Sequence, residues 1–400
     1  MPLIILIFII IVNSIFMLKY SKLLKNSYER AFNIKNVELV NVQKNGADPK
    51  GEKDSTESFQ SSIDALGDSG GIVYIPAGTY IISQLKISSY VQLIGEGKST
   101  VLKMKKNNNK PLLVLKTDTT QMVQIKNFMI DGNKKNQTSS NARGIEFINT
   151  LSAEKIKKKS LKAEHDARHL IENIYISETK GDGFYIEGRG ESQIKNLQTI
   201  RSDGVGIFSN AQDNWFTDCS SGDSGLQGII IAQNATNSRY MNCKSWFSGR
   251  LDSNQGEGII IKANRVGLTG CEAQDNSKHG FVFNAQDIVG TGLLSEANGW
   301  QYSTKVRKDD GTGFVLYGAK NNNIQGVSTD RFEATQEGSH QTFAIQFLNG
   351  ARGNSISITS RNMRKETVPM KQLNNNNSFQ IVQTDSEGKV SIINNSSLNN

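Results

Sequence analysis

The chain has 400 residues, 36 of them glycine and only 5 proline, with 3 cysteines and a formal net charge of +8. That balance suits an acidic partner: an anionic polysaccharide, nucleic acid or anionic lipid. The cysteine spacing excludes a zinc or redox motif, and the lack of a phosphate-binding loop or nucleic-acid motif sets nucleotides and nucleic acids aside.

Residues 1–35 form a hydrophobic N-terminal segment and linker. Pro2–Leu18 reads PLIILIFIIIVNSIFML and is followed by Lys19, Lys22 and Lys25. The run is close to the ~20 residues of a membrane span. No basic residue precedes it and no small-residue cleavage site follows. Residues 3–18 are therefore read as an export signal or membrane anchor, or as upstream sequence with Met17 as the true start. Either of the first two readings gives an extracellular or cell-surface protein.

Residues 36–110 form an N-terminal cap and the first coils. In NGADPKGEKDSTESFQSSIDAL, Asp54 stands as an N-cap with Glu57 three residues later, a capping-box arrangement. Phe59, Ile63 and Leu66 share one face of the helix that follows. After Gly70-Gly71 the period changes to short strands: IVYIPAGTYII, LKISSYVQLIGEG and STVLKM. A short amphipathic helix before many short strands suits the capped end of an all-β solenoid, whose bare edge would otherwise be exposed.

Residues 111–370 carry an internal repeat. A glycine followed by mostly apolar residues recurs at Gly144, Gly183, Gly206, Gly228, Gly258, Gly280 and Gly313, with spacings of 39, 23, 22, 30, 22 and 33. A base period near 22 with insertions is a solenoid pattern. A second strand follows each anchor, and FAIQFLNGARGNSISIT reads as one more coil without the glycine. Cys219, Cys243 and Cys271 end the same strand in three successive coils, so they should stack ~4.8 Å apart as small apolar groups without a disulfide. Residues 371–400 form an Asn-rich final coil or tail.

Three insertions interrupt the period. SAEKIKKKSLKAEHDARH lies between the two strands of one coil and reads as a solvated flap. SGRLDSNQGE and NGWQYSTKVRKDDGT both follow a second strand, so they leave the same edge two coils apart. Insertions on one edge commonly wall a groove. Arg250, Trp300, Tyr302, Lys305 and Arg307 would flank a sugar track there.

The residue before each anchor glycine forms a column: Arg143, Asp182, Val205, Gln227, Glu257, His279 and Thr312. Neighbours in it sit on adjacent coils, so Gln227, Glu257 and His279 should be close although more than fifty residues apart in sequence. The residue two after each anchor forms another: Glu146, Tyr185, Phe208, Ile230, Ile260, Val282 and Val315. It should face outward and leave an apolar patch in water. Such a patch marks an interface or a covered surface, with sister chains of a homotrimer among the covers.

The segments NGADPKG, DSTESFQSSIDAL, GGIVYIPAGTYII and LKISSYVQLIGEG together resemble the N-terminal signature of the pectate-lyase-like superfamily, right-handed parallel β-helices. The resemblance covers about residues 40–104. It implies a single all-β solenoid with a short capping helix. It also implies polysaccharide chemistry, since the superfamily includes lyases, hydrolases, epimerases and phage tail spikes. The acidic residues usual after Gly-Ala-Asp are partly replaced by Lys50, Glu52 and Lys53. KHGFVF resembles the His-Gly element of polygalacturonases, placing His279 at its histidine. QGEGIII matches their Asp-pair element only partly, with Glu257 at one position and Gly256 at the other, and Gln227 stands where a further Asp is usual.

Inverting glycoside hydrolysis needs two carboxyl groups, and this set keeps one. A β-elimination lyase or C5-epimerase needs a base for the proton α to a uronate carboxylate and a donor or cation for the enolate. His279, Lys278, Tyr185 and Arg250 have that chemistry. Glu257 and Asp223 could orient the base or bind Ca²⁺, although no run of carboxylates specifies a metal site. Asp182 and Asp203, each in an Asp-Gly pair, read first as turns. The expectation is a secreted or anchored lyase for an acidic polysaccharide, with catalytic His279, Glu257, Lys278 and Arg250 and substrate-binding Gln227, Asp223, Trp300, Tyr302, Tyr185 and Arg307. A phage tail-spike depolymerase or hydrolase, and a non-catalytic sugar-binding solenoid, are the alternatives.

Overall fold

Each anchor glycine is where one coil passes very close to the next. A Cβ on Gly206, Gly228, Gly258 or Gly280 would lie 2.8 Å from the carbonyl oxygen of the following anchor. None of these glycines has a positive φ. The column is therefore glycine because of close axial approach, not because the turn needs left-handed backbone. The last such strand carries Ala344 at this place, and no further described strand stacks upon it.

The structure, a computed structural model, describes residues 38–150, 166–301, 306–307, 311–330, 341–361, 376–384 and 388–394. The coils lie within the unit Val40–Asn400. Among the described residues, ten strands from Leu85–Ile87 to Phe343–Leu348 stack in chain order into one parallel sheet. We call it the anchor sheet. Its register keeps equivalent positions in line: Ile229 pairs with Ile259, Ile259 with Phe281, and Phe281 with Phe314. The opposite sheet is built from the second strands, such as Leu170–Ser177 and Gln193–Ile200. The fold is thus a parallel β-helix, as the repeat predicts.

Alternation along each short strand fills the core. Ile229, Ile231, Ile259, Ile261, Phe281 and Phe283 are all buried. Each such side chain contributes about 1.5–3 kcal/mol by leaving water. The three cysteines are free and buried, each Sγ donating to a carbonyl of the preceding coil: Cys219 to Ile194 at 3.3 Å, Cys243 to Phe216 at 3.6 Å and Cys271 to Tyr240 at 3.4 Å. They follow, rather than end, the three-residue strands Trp215–Thr217, Arg239–Met241 and Gly267–Thr269. Between strand and cysteine comes one left-handed residue per coil, Asp218, Asn242 and Gly270. Earlier coils fill this column with Asn127, Asn173 and Asn196, whose amides form a ladder at 3.0 and 2.9 Å. Asn and Gly suit it because they tolerate that backbone region.

The helix, α1, spans Thr56–Ala65, and its buried face holds Phe59 and Ile63, with Leu66 just past its end. Its N-cap is Ser55, not Asp54, and no capping box forms. The Ser55 hydroxyl is already taken by the Asp48 N–H at 2.9 Å, while Asp54 accepts the Thr56 N–H at 2.9 Å. Asp48 in turn accepts three backbone N–H groups, from Lys50, Glu52 and Lys53, which lower its pKa. The loop needs only their backbones, so their side-chain identity is free. Gln60 donates to the Lys86 carbonyl and accepts the Lys86 N–H, both at 3.0 Å. An amide thus pairs the open edge of the anchor sheet. At the far end Val390–Asn394 adds antiparallel to Ser378–Thr384.

The outer apolar column is not left in water. Ile230, Ile260 and Val315 are each under a tenth exposed. Ile230 packs with Val205 and Ala232, with Phe208 and Leu226 against them. Val205 and Leu226 thus cover Ile230 from the corner, while Tyr185, Phe208 and Val282 are half-buried. The N-terminal apolar run and most of the Lys-rich insertion lie outside the described residues. Among those described, no helix is long and apolar enough to cross a membrane.

Candidate functional site

The expected column exists. At the corner where the chain passes from the opposite sheet to the anchor sheet, Gly228 N–H donates to the Glu257 carbonyl at 3.1 Å. The Gly258 N–H reaches the His279 carbonyl at 2.8 Å, and Gly280 that of Thr312 at 2.9 Å. Side chains converge on Glu257. Its Oε2 accepts from Gln227 Nε2 at 3.3 Å and its Oε1 from Lys278 Nζ at 2.9 Å. Lys278 also donates to the Asn254 carbonyl at 3.1 Å. His279, on the next coil, is 9% exposed and Glu257 8%. Glu257 is therefore an anchor with both oxygens engaged, holding an ammonium at the mouth of the corner.

Asp182, the other carboxylate of the column, accepts from Arg143 Nε at 2.9 Å and from the Val205 N–H at 2.8 Å. Arg143 also bonds Glu146 and lies over the Tyr185 ring, 4.5 Å from its centroid. Tyr185 stacks on Phe208 at 4.7 Å and donates its hydroxyl to Glu187. Burial and then Glu187 push its phenol pKa up, so Tyr185 stays protonated, with its ring held between Phe208 and Arg143.

Arg250 and Asp223 belong to a second group. Arg250 Nη2 donates to Asp203 Oδ1 at 2.7 Å, and its Nε lies 3.4 Å from Asp223. Arg201 joins Asp223 to Glu178, each at 3.3 Å. Lys134 then links Glu178 at 3.2 Å back to Asp203 at 3.3 Å. Three cations and three carboxylates alternate in a closed ring. All but Asp203 line a cleft of about 540 Å³. Burial acts to raise the Asp203 carboxyl, but Arg250, Lys180 and Lys134 outweigh it and leave its pKa lowered.

Glu257 and Asp223, the two expected oxygen donors for a cation, thus sit in separate bonded groups. Among the described residues, no group of three or more His, Cys, Asp or Glu is placed to hold a metal ion. Trp300 is 8% exposed, its strand paired antiparallel with Val306–Arg307. It is a packed residue rather than an open platform. Tyr302, Lys305 and the side chain of Arg307 lie outside the described residues.

The ring was not among the expected sites, yet it left a signal. Glu178, Arg201 and Asp223 each stand five residues before an anchor glycine, so they fall in one column with alternating sign. All three have left-handed backbone.

Fold and corner together define a parallel β-helix of pectate-lyase type, with its polar clusters on one turn of the coil. The chain belongs to the rhamnogalacturonase A/epimerase, pectate lyase-like family, which it matches over residues 39–259. Glu257 lies inside that span, and Lys278 and His279 lie beyond it. A Bacillus subtilis (strain 168) protein described as phage-related, YobO, is 25% identical over 243 residues, 57% of this chain. The chain spans only 29% of that relative's length. The A-module of the Azotobacter vinelandii mannuronan C-5 epimerase AlgE4 is similar in structure. Its TM-score is 0.59 at 17% identity, covering 86% of this chain and all of that one. The enzymatically active domain of tailspike protein 2 of bacteriophage CBA120 gives a TM-score of 0.65 at 18% identity, over 80% of this chain and 48% of its own.

Proposed function

We propose that the chain is a lyase acting on an acidic, uronate-containing polysaccharide by β-elimination at the Gln227–Glu257–Lys278–His279 corner. The observation that carries this reading is the Lys278 ammonium, fixed by Glu257 and Asn254 of the adjoining coil and followed directly in sequence by His279. A uronate carboxylate placed against Lys278 has its C5 proton made acidic, because the ammonium stabilises the enolate that forms. His279 takes that proton. The C5–H electron pair forms the C4–C5 double bond, and the C4–O bond breaks to release the leaving chain. Glu257 acts as a positioning residue through Lys278. The family name includes an epimerase, and the structural relative of that kind acts on mannuronan, a uronate polymer. Epimerisation shares the first step and ends in reprotonation of C5 from the other face. Two-carboxylate hydrolysis has less support, since Asp182 is bound to Arg143 and the Val205 amide.

The test is incubation with pectate, alginate and glycosaminoglycans in D₂O, reading deuterium at C5 and unsaturated uronate together. Unsaturated ends establish the lyase, and deuterium without them establishes an epimerase. New reducing ends without either sink both and require a second carboxylate. The likeness to a phage-related relative favours a second reading, the same chemistry carried on a phage appendage. Antibody labelling of phage particles against culture medium separates a virion protein from a secreted one.

A further inference from the structure

The insertion after Trp246 closes on itself. A Cβ on Gly249 would lie 2.7 Å from the Gly256 Cα, and a Cβ on Gly249 or Gly256 would lie 1.9 or 1.7 Å from the Ser277 hydroxyl. Between these two glycines the chain crosses from one neighbouring coil to the other. Its first half is laid on the preceding coil by backbone bonds. The Gly249 and Arg250 N–H groups donate to the Ser224 carbonyl at 3.1 and 3.0 Å, and those of Leu251 and Asp252 to the Gly225 carbonyl at 2.9 and 3.2 Å. Its second half serves the following coil. The Ser253 carbonyl accepts from the Ser277 hydroxyl at 3.3 Å, and the Asn254 carbonyl from Lys278 Nζ at 3.1 Å. Two successive carbonyls of the insertion thus face two successive residues of the next coil.

A carbonyl can aim an ammonium only if the peptide plane that carries it is fixed. The segment Ser253–Gln255 is a single 3₁₀ turn, a form whose own hydrogen-bond geometry is poor. Asp252 supplies what the turn lacks. Its Oδ1 accepts the Asn254 N–H at 2.9 Å, and its backbone carbonyl accepts the Gln255 N–H at 3.1 Å. These are the N–H ends of the two planar units whose carbonyl ends face Ser277 and Lys278. Asp252 Oδ2 also accepts from the Gln255 side-chain amide at 3.0 Å. The bonds to the carboxylate are charge-assisted and stronger than neutral ones.

We propose that Asp252 is a positioning residue for the Lys278 ammonium, acting through the two peptide units of the Ser253–Gln255 turn. Its bearing on turnover rests on the β-elimination reading, and its hold on Lys278 does not. The experiment is acetylation of the folded full chain with a limiting amount of N-hydroxysuccinimidyl acetate. Mass spectrometry gives the rate at Lys278 relative to Lys244, a lysine paired with Glu272 at 2.9 Å on the same side of the coils. Asp252→Ala should raise that ratio by about tenfold, the loosening that follows loss of one bond to a charged group. Glu257→Ala, which removes the other partner of Lys278, sets the upper limit. Asp252→Asn keeps an oxygen for the Asn254 N–H and should restore most of the protection. On a uronate polymer that the parent cleaves, Asp252→Ala should lower kcat by about threefold to tenfold with KM near the parent's. The displaced ammonium still meets the ground-state carboxylate but fits the enolate less well. A ratio unchanged by Asp252→Ala would overturn the proposal, whether Lys278 stays held or both lysines loosen together. Equal ratios in Asp252→Asn and Asp252→Ala would also overturn it. Release of Lys278 in a chain that acts on no uronate polymer would sink the β-elimination reading alone. An unchanged ratio in a chain that forms unsaturated uronate would sink the positioning role alone.

Discussion

His169 offers a quantitative test of how the corner between the two sheets is held. It sits at the head of strand Leu170–Ser177 and is 1% exposed. Its Nδ1 accepts the Val123 N–H at 3.2 Å, and its Nε2 meets Asn149 Oδ1 at 2.8 Å. With Nδ1 accepting, the ring is the neutral tautomer that donates from Nε2. Phe147 packs edge-on against it at 5.1 Å. Burial, and after it the charge of Arg189, lowers the imidazole pKa from 6.5 to about 3. Between those values the unfolded chain binds a proton that the folded chain refuses. The contribution to stability is complete above pH 6.5 and falls by about 1.4 kcal/mol per pH unit as the pH drops towards 3. By pH 4.5 the accumulated loss is on the order of 2.7 kcal/mol. The perturbation is His169→Gln, which keeps a donor and an acceptor but does not titrate. Urea unfolding followed by tryptophan fluorescence from pH 4.5 to 8 gives the two stability curves. At pH 8 the variant should be weaker by about 1–3 kcal/mol, because buried bonds are remade imperfectly. Below pH 6 its slope should be shallower than that of the parent by about 1.4 kcal/mol per unit. Parallel curves would refute the argument, since they would mean that His169 titrates alike in both states.

Four further outcomes are expected. His279→Ala and Lys278→Ala should each lower the rate of unsaturated-uronate formation by about 10²–10⁴ without changing the circular dichroism. Glu257→Gln, which can still bond Lys278, should retain more activity than Glu257→Ala, and equal losses would argue against a positioning role. Gly228→Ala places a Cβ 1.9 Å from Ser245 Oγ and 2.8 Å from the Gly258 carbonyl, so it should cost about 1–3 kcal/mol or more, while Ala344→Gly should cost under about 1 kcal/mol; urea midpoints compare the two. Asn173→Ala at a left-handed position should cost about 1 kcal/mol, and Asn173→Gly much less in the same assay.

The coil repeat was legible because an axial contact recurs from Gly144 to Gly313, where a Cβ would lie 2.6–2.8 Å from a carbonyl oxygen of the next coil. The period could be counted without knowing the cause. The side-chain group around Glu257 was legible in part. Stacking in register brings Gln227, Glu257 and His279 to neighbouring coils, and Lys278 follows as the residue beside His279. The partners of Arg250 were not, because its insertion lies outside the period and counting could not aim it. It bonds Asp203 and Asp223, one coil apart, and not Glu257. The outer column was read correctly as the opposite face from Phe281 and Phe283. At Ile230 its burial involves Val205 and Leu226 folding over from the corner, which alternation along a strand cannot express. The cap of α1 moved by one residue because the Ser55 hydroxyl has a tertiary partner, the Asp48 amide.

Left-handed backbone alone does not mark the corner that holds the charge ring and Glu257. For residues other than glycine it costs about 1–2 kcal/mol per residue, with Asn and Asp the mildest cases. Glu178 and Arg201 accept it at one corner, but Arg168, Glu191 and Arg265 accept it at the other. What differs is how the charges are used. Stacking in register brings equal positions of successive coils within about 5 Å, where like charges would repel. Alternation of Glu178, Arg201 and Asp223 turns that crowding into attraction along the axis. Alternation by itself gives an open ladder on the surface, which is worth little. Closing it into a ring takes Lys134 and Arg250, two cations from outside the column. Arg250 comes from an insertion, one end of which reaches the ring while the other supplies Asn254 and Glu257 to Lys278. A solenoid coil of base length has no residues to spare for this. The insertion after Trp246 is thus the feature that joins a repeating corner into two distinct bonded side-chain groups. Its length, rather than the strained residues beside it, is what sets these coils apart.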